Sequence, residues 1–391
     1  MNTFFGNRQI GILCMGALLT ASLVGCSSAD EAADAPDNKS EGLRLFITAS
    51  MPQGGDSKAI SRGGTYVDDA HADGLTFKWT ESSDKMVAIL IPAGEQVYKW
   101  TIGSYDSDFC HIKVKPHTDN FRLADMTSVE TFISDIGVMQ SNSSPLYCIQ
   151  NATDISASKD EVSHNLQCTA QLSMPKNNLF KQTEKNATGH LTDYLFLKGI
   201  TNIPAGTVSA NNSISVDASF YPAVATIRFK ITNRRPANAT IKSVKMKSQE
   251  KMFIDKKIWT MQVNLSEEKV SEYEDKTSYT NVVTALFGDS GFEVAKDETI
   301  YNYVSVHQHD DADAFDGKTL DFILEDSEGH TYTAYNFDCI KLNEITGNAD
   351  FVARYTYTFN LSLRDKLTVT GIEVANQDGN ALPGWSSEEE L

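Results

Sequence analysis

The chain has 391 residues, enough for one large domain or two ordinary ones, each able to bury a real core. With 41% apolar and 22% charged residues it is not a disordered chain, and 34 Lys and Arg against 52 Asp and Glu, a net charge of −18, argue against phosphate-directed nucleic-acid binding. Its 19 Phe, 14 Tyr and abundant Thr and Val lean towards strands rather than helices.

Residues 1–25 read as an export leader, with Arg8 as the positive end and Ile10 to Val24 as the apolar stretch. That stretch falls short of the roughly 20 apolar residues a spanning helix wants. It ends in Leu23-Val24-Gly25-Cys26, which resembles the bacterial lipobox, where signal peptidase II cuts before the cysteine and the thiol receives a diacylglycerol. The expectation is a lipid anchor on Cys26 and a solvated acidic tether over 26–41. Once Cys14 leaves with the leader and Cys26 is acylated, Cys110, Cys148, Cys168 and Cys339 remain. None forms a C-x-x-C pair, so they read as small buried hydrophobes, with one disulfide left open as an alternative.

Period-two alternation begins at Leu43, Leu45, Ile47 and Ala49 and continues through Leu75 to Trp79, Met86 to Ile91 and Val97 to Ile102. One helical spacing interrupts it: Val129, Phe132, Ile133 and Ile136 behind Thr127 as N-cap predict a helix over 127–136. Strands are expected again over 146–150, 165–174 and 194–200. A polar stretch rich in Gly, Pro and Asn, Thr201 to Ser213, marks the division into domains 42–205 and 212–391. Beyond it strands are expected at 214–220, 224–232, 241–247, 258–265 and 299–307, with a hairpin over 320–337 turning near Glu328-Gly329. Over Arg354 to Arg364 the alternation is strongest, with Tyr355, Tyr357, Phe359, Leu361 and Leu363 on a buried face and Thr356, Thr358, Asn360 and Ser362 on a wet one. Short strands without alternating long helices imply an all-β chain of two tandem antiparallel β-sandwich domains.

Catalytic and metal patterns are absent or incomplete. Gly288-Asp289-Ser290-Gly291 is similar to the nucleophile segment of trypsin-like proteases, but Phe292 replaces the second glycine and no segment supplies the base. The run His307 to Gly317 carries Asp310, Asp311, Asp313 and Asp316, but its spacing departs from an EF-hand and it reads as a solvated loop. Hence no enzyme, metal or cofactor is expected. Between Arg228 and Lys257 ten Lys and Arg are concentrated, read either as solvent-facing positions on two strands or as a patch for an acidic neighbour.

The order of features resembles a known family: a lipobox, an alternating first strand, an arginine loop flanked by Gly54-Gly55 and Gly63-Gly64, Leu75 to Trp79 followed by Asp84 to Ile89, Ala223 to Asn233, and Tyr355 to Phe359 running into Lys366 to Val374. Together these resemble the fimbrillins of Bacteroidetes, subunits of type V pili; Asp30, Glu31 and Asp34 also resemble the surface-export signal of lipoproteins of that group. The resemblance implies transthyretin-like sandwich domains and an outer-membrane, cell-surface location in a fimbrium. It implies other fimbrial subunits as partners and adhesion to host or bacterial surface ligands. It further implies that an arginine-specific protease removes the first strand, cutting after Arg62 with Arg44 as the rival site, and that a neighbour's strand fills the groove.

The strand given to a neighbour is expected at 366–376, where Leu367 and Val369 share one face while Ile372 and Val374 take the other, the phase flipping at Gly371. An ordinary last strand with a bulge is the competing reading. A surface glycan-binding lipoprotein of tandem sandwich type is the functional alternative. It would need an aromatic platform, whereas Trp79, Trp100, Trp259 and Trp385 are spread singly.

Overall fold

The computed structural model describes residues 44–51, 66–67, 76–77, 79, 86–90, 109–117, 123–128, 143–159, 166–209, 211–264, 269–376 and 381–387. In chain order the first strands are β1 (Arg44–Ser50), β2 (Tyr66–Val67), β3 (Thr76–Phe77), β4 (Met86–Leu90), β5 (Phe109–Pro116) and β6 (Leu123–Ser128). They are followed by β7 (Ser144–Gln150), β8 (Thr153–Lys159), β9 (Leu166–Ser173), β10 (Leu179–Gln182), β11 (Leu197–Ile203) and β12 (Ser213–Pro222). Next come β13 (Val224–Asn233), β14 (Ala239–Ser248), β15 (Phe253–Asn264), β16 (Lys269–Thr280), β17 (Val282–Phe287) and β18 (Phe292–Val294). The last are β19 (Thr299–His307), β20 (Thr319–Asp326), β21 (Thr331–Asp338), the seven-residue helix α1 (Ile340–Thr346), β22 (Tyr355–Leu363), β23 (Leu367–Asn376) and β24 (Trp385–Ser386).

The all-β class follows from the period-two pattern, because each alternating run has a face that only a second layer can cover. In the first half that layer is the sheet itself: β1-β12-β11-β7-β4-β5-β6 close into a barrel, β6 returning to β1. Closure removes the open edges an isolated sheet would present. The second half is a sandwich of the sheet β10-β17-β14-β20-β21, with β18 on β14, and the sheet β19-β13-β22-β23-β24. Aromatic rings lock its two layers: Phe322 of β20 stands 4.7 Å from Phe359 of β22 and 6.3 Å from Phe229 of β13. Phe337 of β21 meets Phe359 edge-on at 5.3 Å. A further sheet, β16-β15-β9-β8, joins strands of both halves.

Strands are exchanged across 205–212. Beyond it β12 pairs with β11 and β1 in the barrel, and before it β10 runs parallel to β17 in the sandwich. The hairpin of β20 and β21 turns at Ser327 to His330 with Gly329 at φ 85°, as the sequence implies.

Local pattern misleads in three places. Thr127 is no helix cap: it lies in β6, opposite Phe46 of β1 and Lys113 of β5, because Ala124 and Met126 alternate inward with their neighbours outward; 129–136 lie outside the described residues. The second face of β22 is not wet. Thr356, Thr358 and Ser362 are buried on this interior strand, and Arg228 on the neighbouring β13 donates from Nε to Thr358 Oγ1 at 2.8 Å. In the basic stretch, accordingly, Arg228 and Lys257 are buried rather than solvent-facing, while Lys245 pairs with Glu325 and Lys230 with Glu373 at the surface.

Candidate functional site: the seat of the first strand

β1 is held on both sides. Seven residues, Arg44 to Ser50, run parallel to Ser213 to Ser219 of β12, and five, Phe46 to Ser50, run antiparallel to Leu123 to Thr127 of β6. The backbone N–H of Arg44 donates to Asn212 O at 2.8 Å, that of Leu45 donates to Ser128 Oγ at 3.0 Å, and Ser50 Oγ lies 3.3 Å from Ser219 Oγ. Alternation does the rest: Leu45, Ile47, Ala49 and Met51 point inward and are at most 3% exposed, while Arg44 and Thr48 face solvent. Ile214 and Ala218 of β12 and Ala124 and Met126 of β6 form the walls against which they pack. A strand lifted from this seat would leave two ladders of unpaired backbone groups along β6 and β12 and an apolar floor between them, which is the shape an incoming strand satisfies.

The expected first strand is therefore a strand, and Met51 extends its inward row one step beyond Ala49; the period-two spacing carries that signal. Arg44, the rival cleavage position, is the first residue of β1 and its backbone is already hydrogen-bonded, so a protease would have to unpair it. Cys26 and Arg62 lie outside the described residues, as does Trp100.

Leu367, Val369, Ile372 and Val374 are placed together in β23, which pairs antiparallel with β22 over nine positions. Asn360 faces Gly371 while Leu361 faces Val369, so Thr370 is the inserted residue of a bulge, beside the glycine where the sequence phase flips. The bulge brings β24 in close: a Cβ on Gly371 would stand 2.8 Å from Trp385 O. Leu367, Ile372 and Val374 are buried in their own sandwich and Val369 is half-buried.

The remaining candidates resolve into structural parts. Gly288 and Gly291, at φ 63° and 88°, bend the turn between β17 and β18. In the acidic run, Phe315 is fully buried and His309 is clamped by Asp350, its Nδ1 lying 3.0 Å from Asp350 Oδ1 and its Nε2 2.8 Å from Met252 O, so that stretch is anchored rather than simply solvated. Asp326, Glu328 and His330 gather at the β20–β21 turn. There the Asp326 carboxylate accepts hydrogen bonds from the backbone of Glu328 and His330, from Tyr332 Oη and at the His330 ring, an arrangement that staples the turn. Burial pushes the Asp326 carboxyl up, and the hydrogen bonds from His330 and Tyr332 more than offset this, leaving it below its ordinary range.

Cys148, Cys168 and Cys339 are buried, and burial pushes the Cys339 thiol up to about 12, which makes it a packing residue rather than a nucleophile. Trp79 and Trp259 are 2% and 1% exposed, so neither contributes to an aromatic platform.

No family model matches the chain, and no curated protein does. Among solved structures, a candidate cell adhesion protein from Bacteroides ovatus is similar at 12% identity and a TM-score of 0.43, over 89% of this chain and 99% of that one. A candidate cell adhesion protein from Bacteroides uniformis is similar at 9% identity and a TM-score of 0.44, over 86% and 100%. A fimbrial assembly protein from Parabacteroides distasonis is similar at 9% identity and a TM-score of 0.37, over 88% and 98%. These are loose superpositions of long chains.

Proposed function

We propose that this chain is a structural subunit of a surface fimbrium, exported as a lipoprotein through Cys26 and assembled by strand exchange at the seat of β1. In this reading β1 is a provisional occupant. Cleavage after Arg62 frees it, a strand from another fimbrial subunit takes its place, and the polymer stands on the outer membrane and serves adhesion. The single observation that carries the reading is that β1 is paired on both sides yet belongs to the barrel only through seven residues and a row of inward side chains. Such a strand can leave without uncoupling any other pair in the barrel except its own two.

The test uses the chain without its leader. Limited digestion with an arginine-specific protease, followed by N-terminal sequencing, is expected to yield a new end at Gly63. Under mild denaturant the cut protein is expected to lose β1 and to form a ladder of oligomers on size exclusion, and an excess of synthetic peptide covering 43–51 is expected to suppress the ladder. A cut protein that releases β1 and then neither forms oligomers nor takes up the 43–51 peptide would overturn the proposal. A surface glycan-binding role, the alternative from sequence, gains nothing from the buried Trp79 and Trp259.

A further inference from the structure

At the other end of β12 the surface carries a second, chemically distinct feature. A cleft of about 660 Å³ opens where β11, β12, β15 and the segments around 308–310 and 352–355 meet. That volume lies in the range of roughly 300–1,000 Å³ typical of small-molecule sites. Three cationic side chains line it, Lys198, Lys257 and Arg354, against one carboxylate facing it, Asp310, in a chain whose net charge is −18. His309 also lines it, but both of its ring nitrogens are engaged by Asp350 and Met252 O.

The cations are built in rather than scattered on the surface. Lys198 and Lys257 are 6% and 3% exposed, and lysines are seldom buried so deeply. Lys198 sits opposite Tyr221 across the β11–β12 ladder, and its ammonium lies 4.8 Å from the ring centre of Trp259. Lys257 shares a face of β15 with Trp259, two residues away, and its Nζ is 3.9 Å from Asp310 Oδ1.

Arg354 supplies the independent observation. Its backbone is left-handed, at φ 72°, a conformation that costs a non-glycine residue energy and that Arg does not favour. The backbone is fixed there by a hydrogen bond from Arg354 N to Val224 O at 3.0 Å, and the neighbouring Ala353 N donates to Gln308 Oε1 at 2.8 Å. The result is a guanidinium over the Tyr221 ring, 3.5 Å from its centre, with both residues lining the cleft.

We propose that this cleft binds the oxyanion of a small organic acid, a carboxylate or phosphate carried on a body of about hexose size. Arg354 offers the bidentate fork for the anion and the two sheltered lysines supply the attractive field, stronger there than in open water.

Calorimetric titration of the intact chain with D-glucuronate, D-glucose 6-phosphate and D-glucose tests this. One or both acids are expected to bind at least about tenfold more tightly than glucose, and the binding is expected to weaken as salt is raised. The glucuronate and phosphate arms separate the two sources of the anion. Arg354→Gly, which suits the left-handed backbone and removes the fork, is expected to keep or raise the melting temperature while weakening the preferred acid about tenfold. Lys257→Met is expected to weaken it as well. If neither acid binds better than glucose, or if Arg354→Gly binds the preferred acid as well as the parent does while remaining folded, the proposal fails.

Discussion

Ile47→Ala probes the seat of β1 with a magnitude that can be worked from the structure. Ile47 is 2% exposed, in the middle of the inward row, opposite Val216 of β12 and Met126 of β6. Truncating a buried Ile to Ala costs about 2–5 kcal/mol, the transfer of the lost methyl groups plus the cavity left behind. The backbone pairs of β1 are untouched by the change, so the loss falls on the strand's grip rather than on its register. At about 1.4 kcal/mol per factor of ten, the occupancy constant of β1 in its seat is expected to fall by roughly 30-fold to several-thousand-fold. The assay is uptake of a fluorescent peptide of sequence 43–51 by the full chain: exchange in the variant should be faster and more complete than in the parent. A control, Thr48→Ala, changes an exposed neighbour on the same strand and should leave uptake unchanged. Equal uptake in Ile47→Ala and parent would refute the idea that the inward row holds β1 in place.

Truncation after Lys366 removes β23 and β24, and with them the buried Leu367, Ile372 and Val374; at about 1.5–3 kcal/mol per side chain the loss is roughly 5–9 kcal/mol, comparable to a whole domain's stability. Loss of the cooperative transition in urea is expected, and a truncated chain with parental melting would instead mark β23 as a strand free to be given away. His190 gives a pH prediction: burial lowers its pKa to about 4, from 6.5 in the unfolded chain, so the unfolded state takes up the proton first. The contribution of neutral His190 to stability is complete above pH 6.5 and is lost as the pH drops through the window to about 4, by up to about 3 kcal/mol. Urea midpoints at pH 7 and pH 4.5 should differ by more in the parent than in His190→Gln; equal differences would contradict it.

Legibility in the sequence followed how local each feature is. β1 was readable because Leu45, Ile47 and Ala49 alternate without interruption, and the β20–β21 hairpin because Gly329 stands where the turn needs a positive φ. β16 was not readable: Lys-Val-Ser-Glu-Tyr-Glu-Asp-Lys carries too many charges to look like a strand, yet it forms eleven register pairs with β15 as the edge of its sheet, where charges discourage further pairing. The buried face of β22 escaped because Thr356, Thr358 and Ser362 are polar, and the partner of Thr358, Arg228, lies 130 positions away in the chain. The oxyanion cleft had no local signal at all. Lys198, Lys257 and Arg354 come from separate parts of the chain, and nothing in an arginine codon's neighbours announces a left-handed backbone.

The two candidate sites divide one strand between them. β12 is held by β1 along Ser213 to Ser219 and by β11 along Phe220 to Pro222, so its first part forms the wall of the strand seat and its last part, with Tyr221, forms the wall of the cleft. Past Pro222 and Ala223 the chain continues into β13, which is clamped between β19 and β22 in the sandwich. Losing β1 removes a ladder from residues 213–219 but leaves the Lys198–Tyr221 pair and the Arg354 N to Val224 O bond in place. An acid held at Tyr221 and Arg354 therefore does not compete with a strand lying along 213–219. Because β12 and β13 are joined by a single residue, a strand pulling on the seat would load β12 and pass that load directly to β13, an interior strand of a sandwich sheet whose rings pack against those of the facing layer.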